Sequence, residues 1–429
     1  MKKQIPQSIK NIYHLFQAIL ANVRYGFPSR KLKVIGVTGT NGKTTTVQMI
    51  AKILEEAGFK IAVASTINFK IGEKEWVNDT KFTTLSSWKL QKHLRESAKV
   101  GCEYAIVEVT SHALDQNRIW GVDLNVAVVT NVTREHLDYH ETMEKYAKVK
   151  EKLFELVSKE EDGTAIVNLN TEFSENFLRC NVGKMFGYFL ETQNPNCVID
   201  KKLKLEIARD IRLSISGSEF SINGQNFKLN FPGEFNIENA LAAVCVGLSQ
   251  NIPLDKISSA LAEIKGVPGR MERIENDRGL EIIVDYAVTP DSLEKLYEYI
   301  NKLKKNDAKV IAVFGSCGER DRGKRPIMGE IVAKRADCCI VTNEDPYNED
   351  PQNIIDEVFA GVSKHKKEKE NAWRFIDRLE AIKKALQLAK PGDIVVVTGK
   401  GAEEIMAIGD KRIPWNDPKV IRKVLRESN

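Results

Sequence analysis

The sequence lacks the features that mark several other classes of protein. Its seven cysteines include no C-x-x-C pair and no His/Cys set at zinc-ligand spacing, so we expect free thiols in a reducing compartment. No apolar run reaches the roughly 18 residues that a membrane-spanning helix needs. The net charge is only +5 over 429 residues, and no basic block is interleaved with aromatic residues, which argues against a nucleic-acid partner. These absences favour a globular cytoplasmic protein, which we expect to be a monomer.

The first 33 residues are basic and amphipathic, with seven Lys or Arg and no acidic residue. Apolar side chains recur there at helical spacing, at Ile9, Ile12, Tyr13, Phe16, Ile19, Leu20 and Val23. We therefore expect a basic amphipathic helix within residues 1–32. Two uses of its apolar face stay open: packing on the following domain, or contact of residues 8–25 with a membrane surface.

Beyond Leu32, short apolar runs alternate with helical segments. Buried strands are predicted at KLKVIGV, KIAVAST, YAIVEV and NVAVVTNV, and helices over 43–57 and 86–99. Residues 163–230 have the pattern of short strands and turns, and GEFNIENALAAVCVGL then predicts a helix. After the Gly/Pro cluster KGVPGR at 265–270, four more buried strands are predicted at LEIIVDYA, AKVIAVFG, CCIVTNED and GDIVVVTGKG. This alternation predicts an α/β protein with parallel strands.

A glycine-rich loop, VTGTNGKTTT at residues 37–46, follows the first of these strands. Small residues let backbone N–H groups approach phosphate oxygens, a lysine suits the terminal phosphates, and a hydroxyl group suits Mg²⁺. The spacing departs from G-x-x-x-x-G-K-[ST], because Val37 stands where the first glycine is expected. The strand–loop–helix context still predicts a nucleotide site. We expect a central P-loop ATPase-like domain with a mostly parallel sheet over residues 33–266, and a Rossmann-like α/β domain over residues 267–429.

The loop and the stretches that follow it resemble the Mur ligase family. These stretches are EVTSHALDQNR, TNVTREHLDYHETMEKYAKVK, PGEFNIENALAA, VPGRMER, DYAVTPDSLE, FGSCGERDRGKRPIMG and TGKGAEE. In order and spacing they are similar to the branch that adds the third amino acid of the peptidoglycan stem peptide. The resemblance implies ATP and Mg²⁺ as cofactors, with an amino acid and a sugar-peptide acceptor as small-molecule substrates. It also implies that the acceptor carboxylate is activated as an acyl phosphate, which the amine then displaces.

The resemblance also implies roles for individual residues. The implied catalytic groups are Lys43, Glu108, His136 and a carbamylated Lys150, and the implied metal-binding set is Thr44, Glu108, His136 and Lys150. The implied ATP-binding residues are Gly39, Thr40, Asn41, Gly42, Lys43, Thr44, Thr45, Asn236, Asn239, Arg270 and Asp285. The implied substrate-binding residues are Thr83, Thr84, Thr110, Gln116, Arg118, Arg320, Glu344, Asp345, Pro346, Tyr347, Gly399 and Glu403.

Three departures from the family pattern bear on the substrates. The first predicted strand begins near residue 33, so we expect the family's separate N-terminal uridine-binding domain to be absent. The family loop that selects the amino acid is Asp-Asn-Pro-Arg in diaminopimelate ligases, but here it is Glu344-Asp345-Pro346-Tyr347. Without the arginine, a distal carboxylate loses its bidentate partner, which disfavours diaminopimelate. Val288 and Ala402 replace two histidines of the family pattern.

The acidic character of this loop leaves two interpretations open. Glu344, Asp345, Glu349 and Asp350 would suit a cationic substrate such as lysine or ornithine, or they form a merely solvated acidic loop. Three other functions also stay open: a folylpolyglutamate-type ligase, a ligase of a lipid-linked cell-wall intermediate, and a non-catalytic nucleotide-binding scaffold. Retention of the implied catalytic and metal-binding residues favours an active enzyme.

Overall fold

The computed structural model of the chain describes residues 6–158, 162–200, 202–214, 216–305 and 307–427. Its strands form sheets of eleven, six and two strands. None of the helices in these ranges has both the length and the apolar character that crossing a bilayer requires. The two large sheets share no strand among the described residues, and we propose residue 266, between them, as the boundary of the two domains.

Strands and helices alternate along most of the chain. The helices before residue 266 are α1 (Gln7–Tyr25), α2 (Lys43–Glu56), α3 (Ser87–Val100), α4 (Ser111–Asp115), α5 (Leu137–His140), α6 (Met143–Val157), α7 (Ser174–Leu178), α8 (Glu234–Ser249) and α9 (Leu254–Glu263). The strands in this part are β1 (Lys33–Thr38), β2 (Ile61–Ala64), β3 (Asn68–Ile71), β4 (Lys74–Val77), β5 (Tyr104–Glu108), β6 (Val126–Val129), β7 (Thr164–Asn168), β8 (Lys184–Leu190), β9 (Lys204–Ser214), β10 (Gly217–Ile222) and β11 (Gln225–Leu229). A short 3-10 helix, Pro28–Lys31, precedes β1.

The remaining elements form the second domain. Its helices are α10 (Pro290–Leu303), α11 (Lys324–Arg335), α12 (Pro351–Val362), α13 (Arg378–Leu388) and α14 (Asp417–Glu427). Its strands are β12 (Glu272–Arg273), β13 (Glu281–Asp285), β14 (Val310–Phe314), β15 (Cys338–Thr342), β16 (Ala372–Phe375), β17 (Ile394–Thr398), β18 (Ile405–Ile408) and β19 (Lys411–Pro414).

The eleven-stranded sheet has the order β11-β10-β9-β8-β7-β6-β1-β5-β2-β3-β4. Its strands from β9 to β2 are parallel to their neighbours, and antiparallel strands extend both edges. Apolar side chains of α2, α8 and α9 cover one face, and those of α3 and α6 cover the other. The mostly parallel sheet predicted for this region is confirmed, and β1, which carries the glycine-rich loop, lies in its buried centre.

The six-stranded sheet has the order β12-β13-β17-β14-β15-β16 and is parallel after its first pair. Helices α10, α11 and α12 pack on one face, and α13 and α14 on the other. The α/β class is therefore confirmed. The four predicted strands are β13, β14, β15 and β17, whose carboxyl ends lie side by side. The edge strand β16 and the hairpin β18–β19 were not predicted, because they are short and largely lack buried apolar runs.

Helix α1 forms as predicted, but most of its large apolar side chains face solvent. Its buried residues are Ala18, Ala21 and Asn22, and the Asn22 side-chain amide donates to the carbonyl oxygens of Ala18 (2.9 Å) and Trp120 (2.7 Å). Six apolar side chains are 42% to 68% exposed: Ile9, Ile12, Tyr13, Phe16, Leu20 and Val23. Packing of these six on the following domain, one of the two expectations, is therefore wrong. The helix approaches that domain through a narrow strip of small residues instead.

Candidate active site

The glycine-rich loop joins the end of β1 to the start of α2. Gly39 and Gly42 have φ angles of 150° and 82°. A Cβ atom would lie 1.9 Å from Thr130 Oγ1 at Gly39, and 2.1 Å from Asn239 Oδ1 at Gly42. Side chains are therefore excluded at both positions by conformation and by space. The N–H groups of Thr40 and Asn41 donate to Asn131, at its carbonyl oxygen (3.0 Å) and at Oδ1 (2.8 Å). The amides of residues 42–44 follow at the N-terminus of α2, where the helix dipole favours an anion.

Lys43 is the first residue of α2, and its side chain folds back along the loop. Its Nζ donates to the carbonyl oxygens of Gly39 (3.1 Å) and Thr40 (2.8 Å). Burial lowers the pKa of Lys43, although the nearby Glu108 carboxylate opposes the shift. An anion beside this ammonium group would offset the cost of its burial, so the loop suits a polyphosphate.

The loop opens into a cavity of about 310 Å³ between the two domains. Strands β1 and β5 end on one side of it, and β13, β14, β15 and β17 lead into loops on the other. The predicted site residues that line it are Thr40, Asn41, Gly42, Lys43, Thr44, Thr83, Thr84, Glu108, Thr110, Arg118, His136, Arg270, Arg320, Glu344, Asp345, Tyr347 and Glu403. The tertiary fold thus brings together residues that lie up to 363 positions apart in the sequence, from Thr40 to Glu403.

Glu108 ends β5, and its buried carboxylate accepts hydrogen bonds from neutral donors. The Thr44 hydroxyl lies 3.1 and 3.2 Å from its two oxygens. Thr66 donates to Oε2 from its N–H at 2.8 Å and from its hydroxyl at 3.0 Å. Carboxylate and hydroxyl oxygens are ligands that Mg²⁺ accepts. Among the described residues no three His, Cys, Asp or Glu side chains form a ready metal site, so a metal ion here would need phosphate or water ligands as well.

His136 immediately precedes α5 on the same wall, with a φ angle of 57°. Its ring centroid lies 4.7 Å from that of His112. Burial lowers the pKa of His136 well below its usual value, and burial together with neighbouring cationic groups lowers the pKa of His112 to about 4. Both rings are therefore neutral at pH 7, and each keeps a nitrogen lone pair.

Lys150 lies on α6 behind the loop rather than on the cavity wall. Lys150 is 1% exposed. Its Nζ donates to the Gly39 carbonyl oxygen at 2.9 Å and lies 4.4 Å from the Tyr146 ring centroid. Burial, and then the neighbouring charge of Lys43, lower the pKa of Lys150 well below its usual value. The neutral amine is the form that these surroundings favour.

A second cavity, of about 80 Å³, adjoins the other side of the loop. Seven of the predicted ATP-binding residues line it: Asn41, Gly42, Thr45, Asn236, Asn239, Arg270 and Asp285. The Arg270 guanidinium group lies 4.5 Å from the Tyr286 ring centroid and donates to Thr44 Oγ1 at 3.1 Å. Burial raises the pKa of Asp285, against the opposing charge of Arg270. Asn41, Gly42, Arg270 and Tyr286 border both cavities.

The predicted acceptor residues form one hydrogen-bonded group on the central-domain wall. Thr84 Oγ1 donates to the Glu108 carbonyl oxygen at 2.9 Å and accepts from the Thr110 N–H at 2.9 Å. Arg118 donates to Gln116 Oε1 from Nε (2.9 Å) and Nη2 (2.5 Å). Gln116 does not itself line the cavity, and its contact with Arg118 orients the guanidinium group that does.

The opposite wall carries three carboxylates. Asp345 Oδ1 and Glu403 Oε2 both accept from Lys400 Nζ, at 2.8 and 2.5 Å. Burial raises the pKa of Glu344, whose Oε1 accepts from the Cys317 thiol at 3.0 Å and whose Oε2 has no hydrogen-bond partner. This wall is therefore acidic and only partly neutralised.

The backbone around these acids is tightly constrained. Gly399 has a φ angle of 110°, and a Cβ there would lie 2.7 Å from Glu344 Oε2. Tyr347, after Pro346, has a φ angle of 51°, and its N–H donates to the Ala407 carbonyl oxygen at 3.2 Å. Arg320 lines the same part of the cavity.

Two of the acids expected around this loop do not face the cavity. Glu349 Oε2 accepts from Arg325 Nη1 at 2.9 Å, and Asp350 accepts from the Gln352 N–H at the start of α12. Their inclusion in an acidic pocket was therefore wrong, because each is used inside its own domain.

Several cavity residues were missed from the sequence. Lys324 Nζ donates to Glu135 Oε1 at 2.9 Å and to the Val288 carbonyl oxygen at 3.0 Å, a contact that joins the two domains. Lys324 lies in the family-like stretch FGSCGERDRGKRPIMG, so the sequence did contain a signal that could have identified it. Lys81 reaches Asp345 and Glu403 only in the folded chain, and no sequence signal marked it.

A phosphate-binding loop on one α/β domain, facing charged pockets on another, is the arrangement of a nucleotide-dependent enzyme that encloses its substrates between two domains. Two family models match the chain: "Mur ligase middle domain" over residues 37–247, and "Mur ligase, glutamate ligase domain" over residues 269–401. The chain belongs to the Mur ligase family, and it is an ATP-dependent amide ligase.

Relatives support the same assignment. The chain is 38% identical over 413 residues to a UDP-N-acetylmuramoyl-L-alanyl-D-glutamate–2,6-diaminopimelate ligase of Syntrophomonas wolfei, with 95% of this chain and 81% of the relative covered. It is 39% identical over 425 residues to a UDP-N-acetylmuramyl-tripeptide synthetase of Roseiflexus, with 96% and 82% covered. A solved structure of a 2,6-diaminopimelate ligase of this type matches with a TM-score of 0.59 at 31% identity, covering 92% of this chain and 79% of that one.

Proposed function

We propose that the enzyme joins an amino acid to the free carboxylate of a UDP-muramoyl dipeptide in the cytoplasm, acting as a monomer. The observation that supports this most strongly is the cavity of about 310 Å³ between the two domains. It is bordered by the phosphate loop, by the Arg118 group on one wall and by the acidic pocket on the other. Three reactants that must meet therefore have adjacent sites, and holding them together removes much of the entropic cost of reaction.

Bound ATP supplies activation of the acceptor carboxylate as an acyl phosphate, and the chain's own residues bind and orient the groups involved. Lys43 and the amides of residues 42–44 would hold the phosphates, and the second cavity would take the nucleoside. Thr44 and Glu108 would hold Mg²⁺, and His136 would be a ligand of a second metal ion. Arg118 would grip the acceptor, because its planar guanidinium group suits a carboxylate or phosphate.

Lys150 carries a carbamate in this proposal. A neutral amine attacks the carbon of CO₂ and loses a proton, which converts a cationic residue into an anionic oxygen ligand. The buried position and lowered pKa of Lys150 favour the neutral amine. Its contact with Gly39 holds the product next to the phosphate loop.

The amino acid is proposed to carry a cationic side chain. The relatives' names specify diaminopimelate for some members, but Tyr347 offers no charge to a distal carboxylate. The buried Glu344 and Asp345, with the partly buried Glu403, favour an ammonium group instead. Lysine and ornithine are the substrates of this kind that we expect.

Amino-acid-dependent ADP release tests the proposal. The panel pairs three acceptors (UDP-muramoyl dipeptide, its lipid-linked equivalent and a folate) with lysine, ornithine, diaminopimelate and glutamate. We expect turnover with the UDP-linked acceptor and a cationic amino acid, and none in the Lys43→Ala variant. Turnover with folate and glutamate only would establish the folylpolyglutamate-type alternative. Absence of turnover with every pair would favour a non-catalytic scaffold.

We further propose that α1 rests on an anionic membrane surface. Its six exposed apolar side chains recur along one stripe; exposed Lys10 and Arg24 lie on one side of it, and exposed Lys31 lies in the 3-10 helix that follows, in a segment without acids. An apolar stripe with basic borders inserts at the boundary of acyl chains and anionic headgroups. A lipid-linked acceptor would give this contact a use.

Sedimentation with vesicles tests the membrane contact. Binding to phosphatidylglycerol vesicles should exceed binding to phosphatidylcholine vesicles, and Phe16→Glu should weaken it by about tenfold, since a charge replaces buried apolar area. Val198→Glu, at a residue 85% exposed elsewhere, is the matched control. Equal binding of wild type and Phe16→Glu, or concentration-dependent dimerisation through α1 in place of vesicle binding, would contradict the proposal.

A further inference from the structure

A lysine of the chain itself occupies the acidic pocket. Lys81 Nζ donates to Asp345 Oδ2 at 3.0 Å and to Glu403 Oε2 at 2.6 Å. Its side chain is 14% exposed and comes from the loop between β4 and α3 of the central domain, whereas both acids belong to the C-terminal domain. The ammonium group therefore crosses the domain interface to reach the place proposed for the substrate's cation.

Lys81 and Lys400 together match the charges of Asp345 and Glu403. Asp345 and Glu403 also accept from Lys400, whose side chain is fully buried and donates in addition to the Ile405 carbonyl oxygen at 2.9 Å. Lys400 is thus a permanent part of the wall. Without Lys81, two carboxylates would share that one cation, beside the buried Glu344. If Lys81 left the pocket, another cation would be needed to offset the negative charge of the carboxylates.

The backbone of Lys81 is suited to a reversible contact. Its φ angle of 59° lies in the left-handed region, which costs a residue with a Cβ roughly 1–2 kcal/mol. Movement of the loop out of the pocket would relieve that strain. Lys81 also lies two positions before Thr83, which is on the wall proposed for the acceptor. Displacement of Lys81 would therefore move the backbone next to the acceptor site.

We propose that Lys81 is an internal competitor of the amino-acid substrate: its ammonium group occupies the pocket, and the side-chain cation of the substrate replaces it there. This inference rests on the proposed ligase function and deepens it. A neutral side chain would leave the carboxylates short of one charge once Lys81 moved, and an anionic side chain would add repulsion. Because only molecules with an unfilled pocket bind the substrate, its apparent affinity is the intrinsic affinity multiplied by the fraction of molecules in which Lys81 does not fill the pocket.

Comparison of Lys81→Met with wild type tests this role. If Lys81 fills the pocket in most molecules, its removal should lower KM for L-lysine by about fivefold or more, with kcat within about twofold. KM for the neutral isostere L-norleucine should change little, so the preference for lysine should rise. Lys81→Arg keeps the competing charge and should resemble wild type. Lys92→Met, at an exposed position on α3, is the matched control.

Calorimetric titration of L-lysine into the protein gives a second readout that needs no turnover. Tighter binding of L-lysine by Lys81→Met than by wild type supports the inference even if no acceptor in the panel is used, in which case the proposed function alone fails. Unchanged or weaker binding of L-lysine by a folded Lys81→Met variant, or a raised KM, overturns the inference and makes Lys81 a permanent part of the pocket. Circular dichroism establishes that the variant is folded.

Discussion

Replacing Arg378 by methionine should destabilise the C-terminal domain and loosen its amino-acid pocket. The fully buried guanidinium group donates to Asp417 Oδ1 (2.8 Å) and Oδ2 (2.6 Å). It also donates to the carbonyl oxygens of Asn343 (3.2 Å) and Thr398 (2.7 Å). These two residues lie at the ends of β15 and β17, immediately before Glu344 and Gly399. One side chain therefore ties together the two loops that carry the pocket.

The magnitude follows from the burial of both partners. Loss of Arg378 leaves the Asp417 carboxylate buried without its cation and two carbonyl oxygens without their donor, which should lower the free energy of unfolding by about 3–5 kcal/mol. The double variant Arg378→Met/Asp417→Leu also removes the unpaired carboxylate, so it should recover much of the lost free energy of unfolding. The amino-acid KM should rise in the single variant, because the loops lose their common anchor.

Urea unfolding measures these differences within the C-terminal domain when it is followed by the fluorescence of Trp373 and Trp415 in a background with Trp76, Trp88 and Trp120 replaced by phenylalanine. Arg374→Met is the matched control, because Arg374 pairs with Glu368 at the surface and such pairs contribute about 0–1 kcal/mol. A loss below about 1 kcal/mol for Arg378→Met would refute the reasoning, since a buried unpaired carboxylate costs more than that. So would a double variant that is no more stable than the single one.

Three further predictions concern the loop, the pocket and the pH dependence. Gly42→Ala should abolish ATP binding in equilibrium dialysis, because its Cβ would lie 2.1 Å from Asn239 Oδ1 at a φ angle of 82°; retained binding would show that the loop can shift. Tyr347→Arg should raise kcat/KM for diaminopimelate relative to lysine by about tenfold or more, as a charge-assisted pair forms with the distal carboxylate; unchanged selectivity would remove that role. Burial lowers the pKa of His93 to about 4, below the unfolded value of 6.5. Because the unfolded chain takes up the proton first, His93 alone should lower the free energy of unfolding by about 3 kcal/mol between these pH values, and the buried His112 and His136 should add to the decline. His93→Leu should flatten this decline in acid denaturation curves, and an equally steep decline would contradict the assignment.

Local patterns in the sequence were sufficient to predict much of the fold. Continuous apolar runs such as those of β1, β5 and β17 are typical of strands buried on both faces of a parallel sheet. Gly39 and Gly42 could be predicted from the loop sequence alone, because glycine is the residue that adopts positive φ angles most readily. Short edge elements such as β16 escaped prediction, because their stability comes from the strand beside them rather than from their own residues.

The chemical identity of the phosphate loop was therefore determined by the sequence, since adjacent residues build it. The acidic pocket was decided only by tertiary structure. Asp345, Lys400 and Glu403 meet one another, and Lys81 reaches them from the other domain, because the carboxyl ends of parallel strands converge at the interface. The same convergence excluded Glu349 and Asp350, which lie close in sequence but are bound elsewhere. Residues that are close in sequence share a loop, whereas the packing of the two domains determines which charged side chains share a pocket.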